Sequence, residues 1–288
     1  MFFARIKTLS HKIKRFLEPT PKDVLYFLHI PKTAGCSVKK WLTDRVKQGS
    51  ICPAITWDQL VMIGPQAISK YRIFAGHFGM DLEPFLGRKV TAVTLLRDPL
   101  RRTISHYRHV RRDPEHPLHK HVLHQSFEMF VMDKQNWPMI ENFQARYLVS
   151  GPIAFKRFSK FFDGNVAKRN RLSVLSEDAR YLLDSTYVRE KALEAMVTQL
   201  EFVGIDERVS DFLARIGERI GIQASVSIHE IPHENIAPPD DIGELSTASL
   251  ETVDTLTKID REIYTKACRR AAKFSKADKG LSASGLLK

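Results

Sequence analysis

Asp23 to Val46 reads DVLYFLHIPKTAGCSVKKWLTDRV: a buried strand, a tight loop and an amphipathic helix in immediate succession. Val24, Leu25, Tyr26, Phe27, Leu28 and Ile30 form a short apolar run, as expected of a strand covered on both faces. Pro31 ends it, and Lys32, Thr33, Ala34, Gly35, Cys36 and Ser37 make the turn. Val38, Trp41, Leu42 and Val46 then recur at helical spacing, with Lys39, Lys40, Asp44 and Arg45 on the opposite side. A small-residue loop at a helix N-terminus is a ready anion site, because first-turn N–H groups lack intrahelical partners and the helix dipole adds positive potential. Lys32 adds a full charge, and Thr33 and Ser37 add hydroxyls, so the loop reads as a phosphate cradle. It is not a Walker A loop: the Lys precedes the only Gly, which disfavours ordinary nucleoside-triphosphate hydrolysis. The plain alternative is a strand–turn–helix whose Lys is merely solvated.

Outward from this stretch, strands and helices alternate. Ser50 to Ile63 reads as loop and short helix, Arg72 to Ala75 as a second strand, and Leu82 to Leu86 as a helical turn. Lys89 to Leu96, KVTAVTLL, has the β-branched profile of a central parallel strand. Asp98 can cap the next helix, with Pro99 as its first residue and Ile104, Tyr107 and Val110 continuing it. Arg101 to His124 reads as helix, exposed loop and helix, broken by Pro114 and Pro117. Phe127 to Trp137, Glu141 to Leu148 and Glu177 to Gln199 are helical, while Val149 to Arg171 has no clear pattern. Leu200 to Ile205 is a fourth strand, followed by a helix from Arg208 to Gly221, a Pro-rich loop from Ser225 to Asp241 and a helix from Leu245 to Phe274. The expected class is α/β, a P-loop-like three-layer fold whose central, mainly parallel sheet is flanked by helices. The expected organisation is a basic arm or helix over 1–21, one domain over 22–274 and a disordered tail over 275–288.

The 288 residues suit one large domain, and 43% hydrophobic with 27% charged residues is ordinary for a folded chain. The net charge of +12 is not ordinary; it favours an anionic partner without choosing among nucleotide, polysaccharide, nucleic acid and membrane. Cys36, Cys52 and Cys268 are too few and scattered for a disulfide framework or a cysteine zinc site, which fits a reducing, cytoplasmic setting. The N-terminus, MFFARIKTLSHKIKRFLEPTP, is basic and amphipathic without a signal peptide's apolar core. It can lie on an anionic membrane surface, although a peripheral helix or frayed arm is the plainer reading.

Ligands of open parallel sheets bind outside the C-terminal strand ends. Polar or small groups follow all three leading strands, at Pro31-Lys32, Gly76-His77 and Arg97-Asp98. HIPKTAGCS resembles the 5′-phosphosulfate loop of sulfotransferases that use 3′-phosphoadenosine 5′-phosphosulfate (PAPS), in particular the heparan sulfate and uronyl 2-O-sulfotransferase type with its bacterial relatives. Cys36 stands where a Thr is common, which removes one hydroxyl and leaves the backbone N–H. Arg97-Asp98-Pro99 with Arg101, Ser105 and Tyr107 resembles the 3′-phosphate motif of the same enzymes. Arg offers a planar fork to phosphate oxygens, and Ser105, eight residues on, shares its general helix face. His77 matches the second His of the family's His-Gly-His segment, the first being Ala75 here, and imidazole suits proton transfer near neutrality. Asn142 to Leu148, Phe202 to Glu207 and Asp260 to Tyr264 resemble further family segments, so the likeness covers roughly residues 22 to 270.

The resemblance implies transfer of a sulfuryl group from PAPS to a hydroxyl of an anionic or hydroxylated glycan-type acceptor, without a metal and without a nucleic-acid partner. Lys32 and His77 would be catalytic. Lys32, Thr33, Ala34, Gly35, Cys36, Ser37, Arg97 and Ser105 would bind PAPS. Golgi members of the family carry a membrane anchor; with no apolar run of ~20 residues, this chain is expected to be a soluble, bacterial enzyme. The His-rich stretch from His106 to His124 lacks a ligand-like spacing and reads as a basic surface, partly facing an acidic acceptor. Two other classes stay open: a P-loop nucleotide kinase-like enzyme, which would prefer ATP with Mg²⁺, and a non-catalytic polyanion-binding protein, which would ignore adenosine 3′,5′-bisphosphate.

Overall fold

The computed structural model describes residues 24–149, 183–222, 242 and 244–284. The basic arm over 1–21, most of the 149–171 segment and the loop over 225–241 lie outside the described residues. In chain order the elements are β1 (Val24–Leu28), α1 (Gly35–Arg45), α2 (Trp57–Ile63), α3 (Pro65–Ile68), β2 (Ile73–Gly76), α4 (Leu82–Leu86), β3 (Val90–Leu96) and α5 (Pro99–Arg112). There follow α6 (His119–Val122), α7 (Phe127–Met132), a 3₁₀ turn (Lys134–Met139), α8 (Phe143–Tyr147), α9 (Ser185–Thr198), β4 (Leu200–Ile205), α10 (Val209–Arg219), α11 (Thr247–Leu256) and α12 (Lys258–Ser284).

The sheet order is β2-β1-β3-β4, with every pairing parallel. The chain leaves β1 for β2 on one side, then returns past β1 to β3 on the other. The connections diverge between β1 and β3, so the crevice beyond their C-terminal ends is the switch point where ligands of such sheets bind. Thr94, fully buried in β3, donates its hydroxyl to the Leu28 carbonyl at 2.7 Å and ties the two strands at that end.

Alternation along the strands builds two apolar layers. Leu25 and Phe27 of β1, Ile73 and Ala75 of β2, and Val93 and Leu95 of β3 meet Val38, Trp41 and Leu42 of α1 and Phe212, Leu213 and Ile216 of α10. Val24, Tyr26 and Leu28, with Phe74 and Leu96, face the other way, against Trp57, Leu60, Phe143, Ala192, Ile259 and Ile263. The result is a three-layer α/β arrangement. A third cluster, including Tyr107, Val110, Phe127, Phe130, Ile140 and Leu256, supports the far end of α5.

Two helix N-termini hold each other. Asn142, in the left-handed region at φ 42°, accepts the Ile259 N–H at 2.9 Å at the start of α12. Asp260 in turn accepts the Gln144 and Ala145 N–H groups at 3.1 and 2.7 Å at the start of α8. Each side chain satisfies the other helix's first-turn donors. Burial pushes the Asp260 carboxyl up to about 6, against the pull of those two N–H groups and of Arg102 and Arg146.

The differences from expectation are local. Helix α1 starts at Gly35, ahead of the first apolar residue, Val38, which puts Cys36 and Ser37 in its first turn. The second strand is shifted by one residue, to Ile73–Gly76. The helix expected to reach Trp137 ends at Met132 and gives way to the 3₁₀ turn around Pro138. The last helix divides at Thr257 and continues to Ser284, through much of the tail expected to be disordered.

Candidate functional site

The loop after β1 is held by its own backbone and by the strand ends beside it. Thr33 is fully buried and donates its hydroxyl to the Ile30 carbonyl at 2.9 Å. Lys32 and Ala34 sit at φ 74° and 63°, in the left-handed region. For non-glycine residues that region costs roughly 1–2 kcal/mol each, and such strain persists where the surroundings over-determine the chain. Ala34 is the N-cap of α1 and offers no side-chain acceptor for the first-turn N–H groups. Cys36 is exposed and Ser37 buried.

Gly35 is required by space, not by its backbone angles. A Cβ there would lie 1.9 Å from both Cδ2 and Nε2 of His29, whose ring covers the start of α1. Gly35→Ala is therefore expected to destabilise the fold by about 1–3 kcal/mol in urea unfolding. His29→Ala in the same chain should recover part of that loss, and additive losses would show that the contact is not the cause.

His29 and His77 pair across β1 and β2, ring centroids 4.5 Å apart. His77 Nδ1 lies 2.7 Å from the His29 carbonyl oxygen. A carbonyl only accepts, so Nδ1 carries the proton and the neutral ring's lone pair is on Nε2, the nitrogen that can act as a base. The His29 imidazole itself is held neutral, its pKa pushed well down by burial first and then by His77, Lys39 and Lys32.

At the end of β3, the Arg97 backbone is clamped by Gln144, which accepts the Arg97 N–H at 2.9 Å and donates to its carbonyl at 2.8 Å. Since Asp260 fixes the backbone of Gln144, the α8–α12 staple bears directly on Arg97. Arg97 Nη1 donates to the Lys32 carbonyl at 3.3 Å, joining the two strand ends. Its Nε is 2.9 Å from Asp206 Oδ2, near enough for an ion pair but out of line for a hydrogen bond. Burial and a hydrogen bond with Glu207 push the Asp206 carboxyl up, with Arg97 pulling the other way.

Arg102 is buried. It donates to the carbonyls of Pro31, at 3.4 Å, and Met139, contacts His106 Nδ1, and stacks 3.6 Å above the Phe143 ring. The Lys32 ammonium falls to about 8. Burial is the main cause, and Arg112, Arg102 and Arg97 push the same way against Cys36. Four cations thus converge on the switch point.

Lys32 and Arg97 are joined across the strand ends, Gly35, Cys36 and Ser37 form the first turn of α1, and His77 lies beside His29, whose ring covers Gly35. One expected contributor is placed differently. The Thr33 hydroxyl is committed to Ile30, so only its backbone can serve a ligand. Ser105, half-buried, lies one turn beyond Arg101 on α5. Arg101 pairs with Glu207 at 2.9 Å, so that helix face turns toward the end of β4. His29, Arg102 and Gln144 were not foreseen. A His closing an otherwise apolar strand was the one available signal, for His29. No family model matches the chain, and no curated protein matches it.

Proposed function

We propose that the protein is a PAPS-dependent O-sulfotransferase of P-loop-like fold, acting on a hydroxyl of a glycan or glycoconjugate. The observation that supports it most is the joining of Lys32 and Arg97 across the switch point, with Arg102 and Arg112 beside them and Asp206 2.9 Å from Arg97. That donor set fits a compact ligand with several negative charges. The first-turn N–H groups of α1 with Ser37 would take the 5′-phosphate, and Arg97 with Ser105 the 3′-phosphate. PAPS supplies an electrophilic sulfuryl group.

His77 Nε2 takes the proton of the acceptor hydroxyl as its oxygen bonds to sulfur. The bond from sulfur to the 5′-phosphate oxygen breaks, its electron pair remaining on that oxygen. Lys32 stabilises the charge developing there, a role worth most in a site where cations are fixed and partly desolvated. The products are the sulfate ester and adenosine 3′,5′-bisphosphate.

Radiolabelled-sulfur PAPS offered with a panel of glycans tests this. Label should move to at least one hydroxylated acceptor, with equimolar bisphosphate released. Phosphate transfer from ATP with no sulfur transfer to any acceptor would overturn the reading.

The lowered Lys32 pKa gives a further expectation. A bound anion stabilises the ammonium, so bisphosphate affinity should be flat below pH 8. It should weaken above that as Lys32 loses its proton, by no more than about tenfold in all. Calorimetric titrations from pH 6.5 to 9.5 check it, and Lys32→Ala should flatten the profile.

A further inference from the structure

Beneath the Arg97 end of the site, residues from three distant segments form one hydrogen-bonded run. It starts at the buried Asp260 of α12, whose two carboxylate oxygens accept the Gln144 N–H at 3.1 Å and the Ala145 N–H at 2.7 Å. Gln144, also buried, turns its side-chain amide onto the backbone of Arg97. Its Oε1 accepts the Arg97 N–H at 2.9 Å and its Nε2 donates to the Arg97 carbonyl at 2.8 Å. One acceptor and one donor thus pair with Arg97 as a neighbouring strand would, just past the last residue of β3. From that fixed backbone the Arg97 guanidinium reaches across to the Lys32 carbonyl.

An ionised carboxylate suits this task in a way that an amide does not. Both of its oxygens accept, so both N–H groups are held at once. A protonated carboxyl, or an Asn, keeps one good acceptor and turns a donor toward the other N–H. Burying the charge is costly, and burial pushes this carboxyl up to about 6, against the pull of the two N–H groups, Arg102 and Arg146. Arg102 faces it from α5 and Arg146 from α8. The end of β4 and α9 also pack on α12, but their charges meet it elsewhere, Glu207 at Tyr264 one turn on and Arg189 at Glu262. A plain helix cap does not need a buried charge, since Ser, Thr or Asn caps as well. The charge has a use where it fixes the aim of a ligand-binding arginine.

We infer that Asp260 is a positioning residue for the cofactor: through Gln144 it holds Arg97 in place for the second phosphate of the ligand. This rests on the sulfotransferase reading for the identity of that ligand, and it adds two buried residues that act only through Arg97.

Calorimetry of the full chain with adenosine 3′,5′-bisphosphate and with adenosine 5′-phosphate isolates the 3′-phosphate as the ratio of the two affinities. At pH 7.5, Asp260→Asn should lower that ratio by about tenfold, the worth of one charge-assisted hydrogen bond, while affinity for adenosine 5′-phosphate changes by less than about threefold. Gln144→Met, which keeps the volume and removes the clamp, should do the same, and the double variant should lose no more than Gln144→Met alone. At pH 5 the wild-type carboxyl is protonated, so wild type and Asp260→Asn should converge, whereas a merely structural defect persists at both pH values. Comparing the two chains at each pH cancels titration of the phosphates themselves. Amide exchange gives a readout that needs no nucleotide: the Arg97 N–H should exchange about tenfold faster in either variant. Equal loss for both nucleotides, an undiminished ratio, or no convergence at pH 5 would overturn the relay. If Asp260→Asn does not fold, Gln144→Met decides by the same ratio. A wild-type chain that binds neither nucleotide would instead count against the sulfotransferase reading, and the Arg97 exchange rate then decides the relay, an unchanged rate overturning it.

Discussion

Lys32→Ala is expected to lower kcat by about 10³-fold or more, while affinity for adenosine 3′,5′-bisphosphate falls by less than about tenfold. The asymmetry follows from where the ammonium acts. The bisphosphate is held by first-turn N–H groups and by Arg97, which remain, whereas charge on the departing oxygen develops only during transfer. Ala is the informative replacement because Lys32 sits at φ 74°. Gly would relax the backbone, whereas Ala keeps the Cβ and its strain, so the loop is compared with its shape preserved. Initial rates with labelled PAPS, paired with calorimetry, separate the two quantities. Wild-type turnover in the variant would remove Lys32 from the chemistry, and loss of binding equal to loss of rate would make it a binding residue.

His77→Ala should cost about 10²–10⁴-fold in kcat, the usual worth of a placed general base, with little change in thermal stability. His77 is half-buried just beyond β2, so its removal opens no large cavity. An active variant would leave the proton with some other group. A variant that unfolds would mean that the His29–His77 pair is chiefly a prop for the loop.

The sheet was legible because each strand is an apolar run bounded by Pro, Gly or charge. Leu200 to Ile205 appears with the bounds its composition suggests. The strand, small-residue loop and helix at 24–45 were legible because they are contiguous. What escaped were commitments made across the fold. Periodicity marks a helix's buried face and not its first residue, so α1 begins ahead of Val38. Nothing near Thr33 says that its hydroxyl will turn inward to Ile30, since a buried hydroxyl takes whichever acceptor the loop presents. Gln144 and Asp260 stand far apart in the chain, and only the packing of α8 on α12 brings the Gln144 N–H to the Asp260 carboxylate, leaving the Gln144 side chain on the Arg97 backbone. Arg102 reads as a surface cation on a basic helix, yet it is buried on the Phe143 ring beneath the loop.

Two phosphate grips, one at each of two neighbouring strand ends, are the premise of every step above. Calorimetric titration of the full chain with adenosine 3′,5′-bisphosphate, against ATP with Mg²⁺, tests it most directly. The 3′-phosphate contacts should give the bisphosphate at least about a hundredfold advantage, from two charge-assisted hydrogen bonds of roughly 1.5–3 kcal/mol each, and Arg97→Ala should erase most of it. ATP binding as tightly as the bisphosphate, or neither binding, would contradict the account.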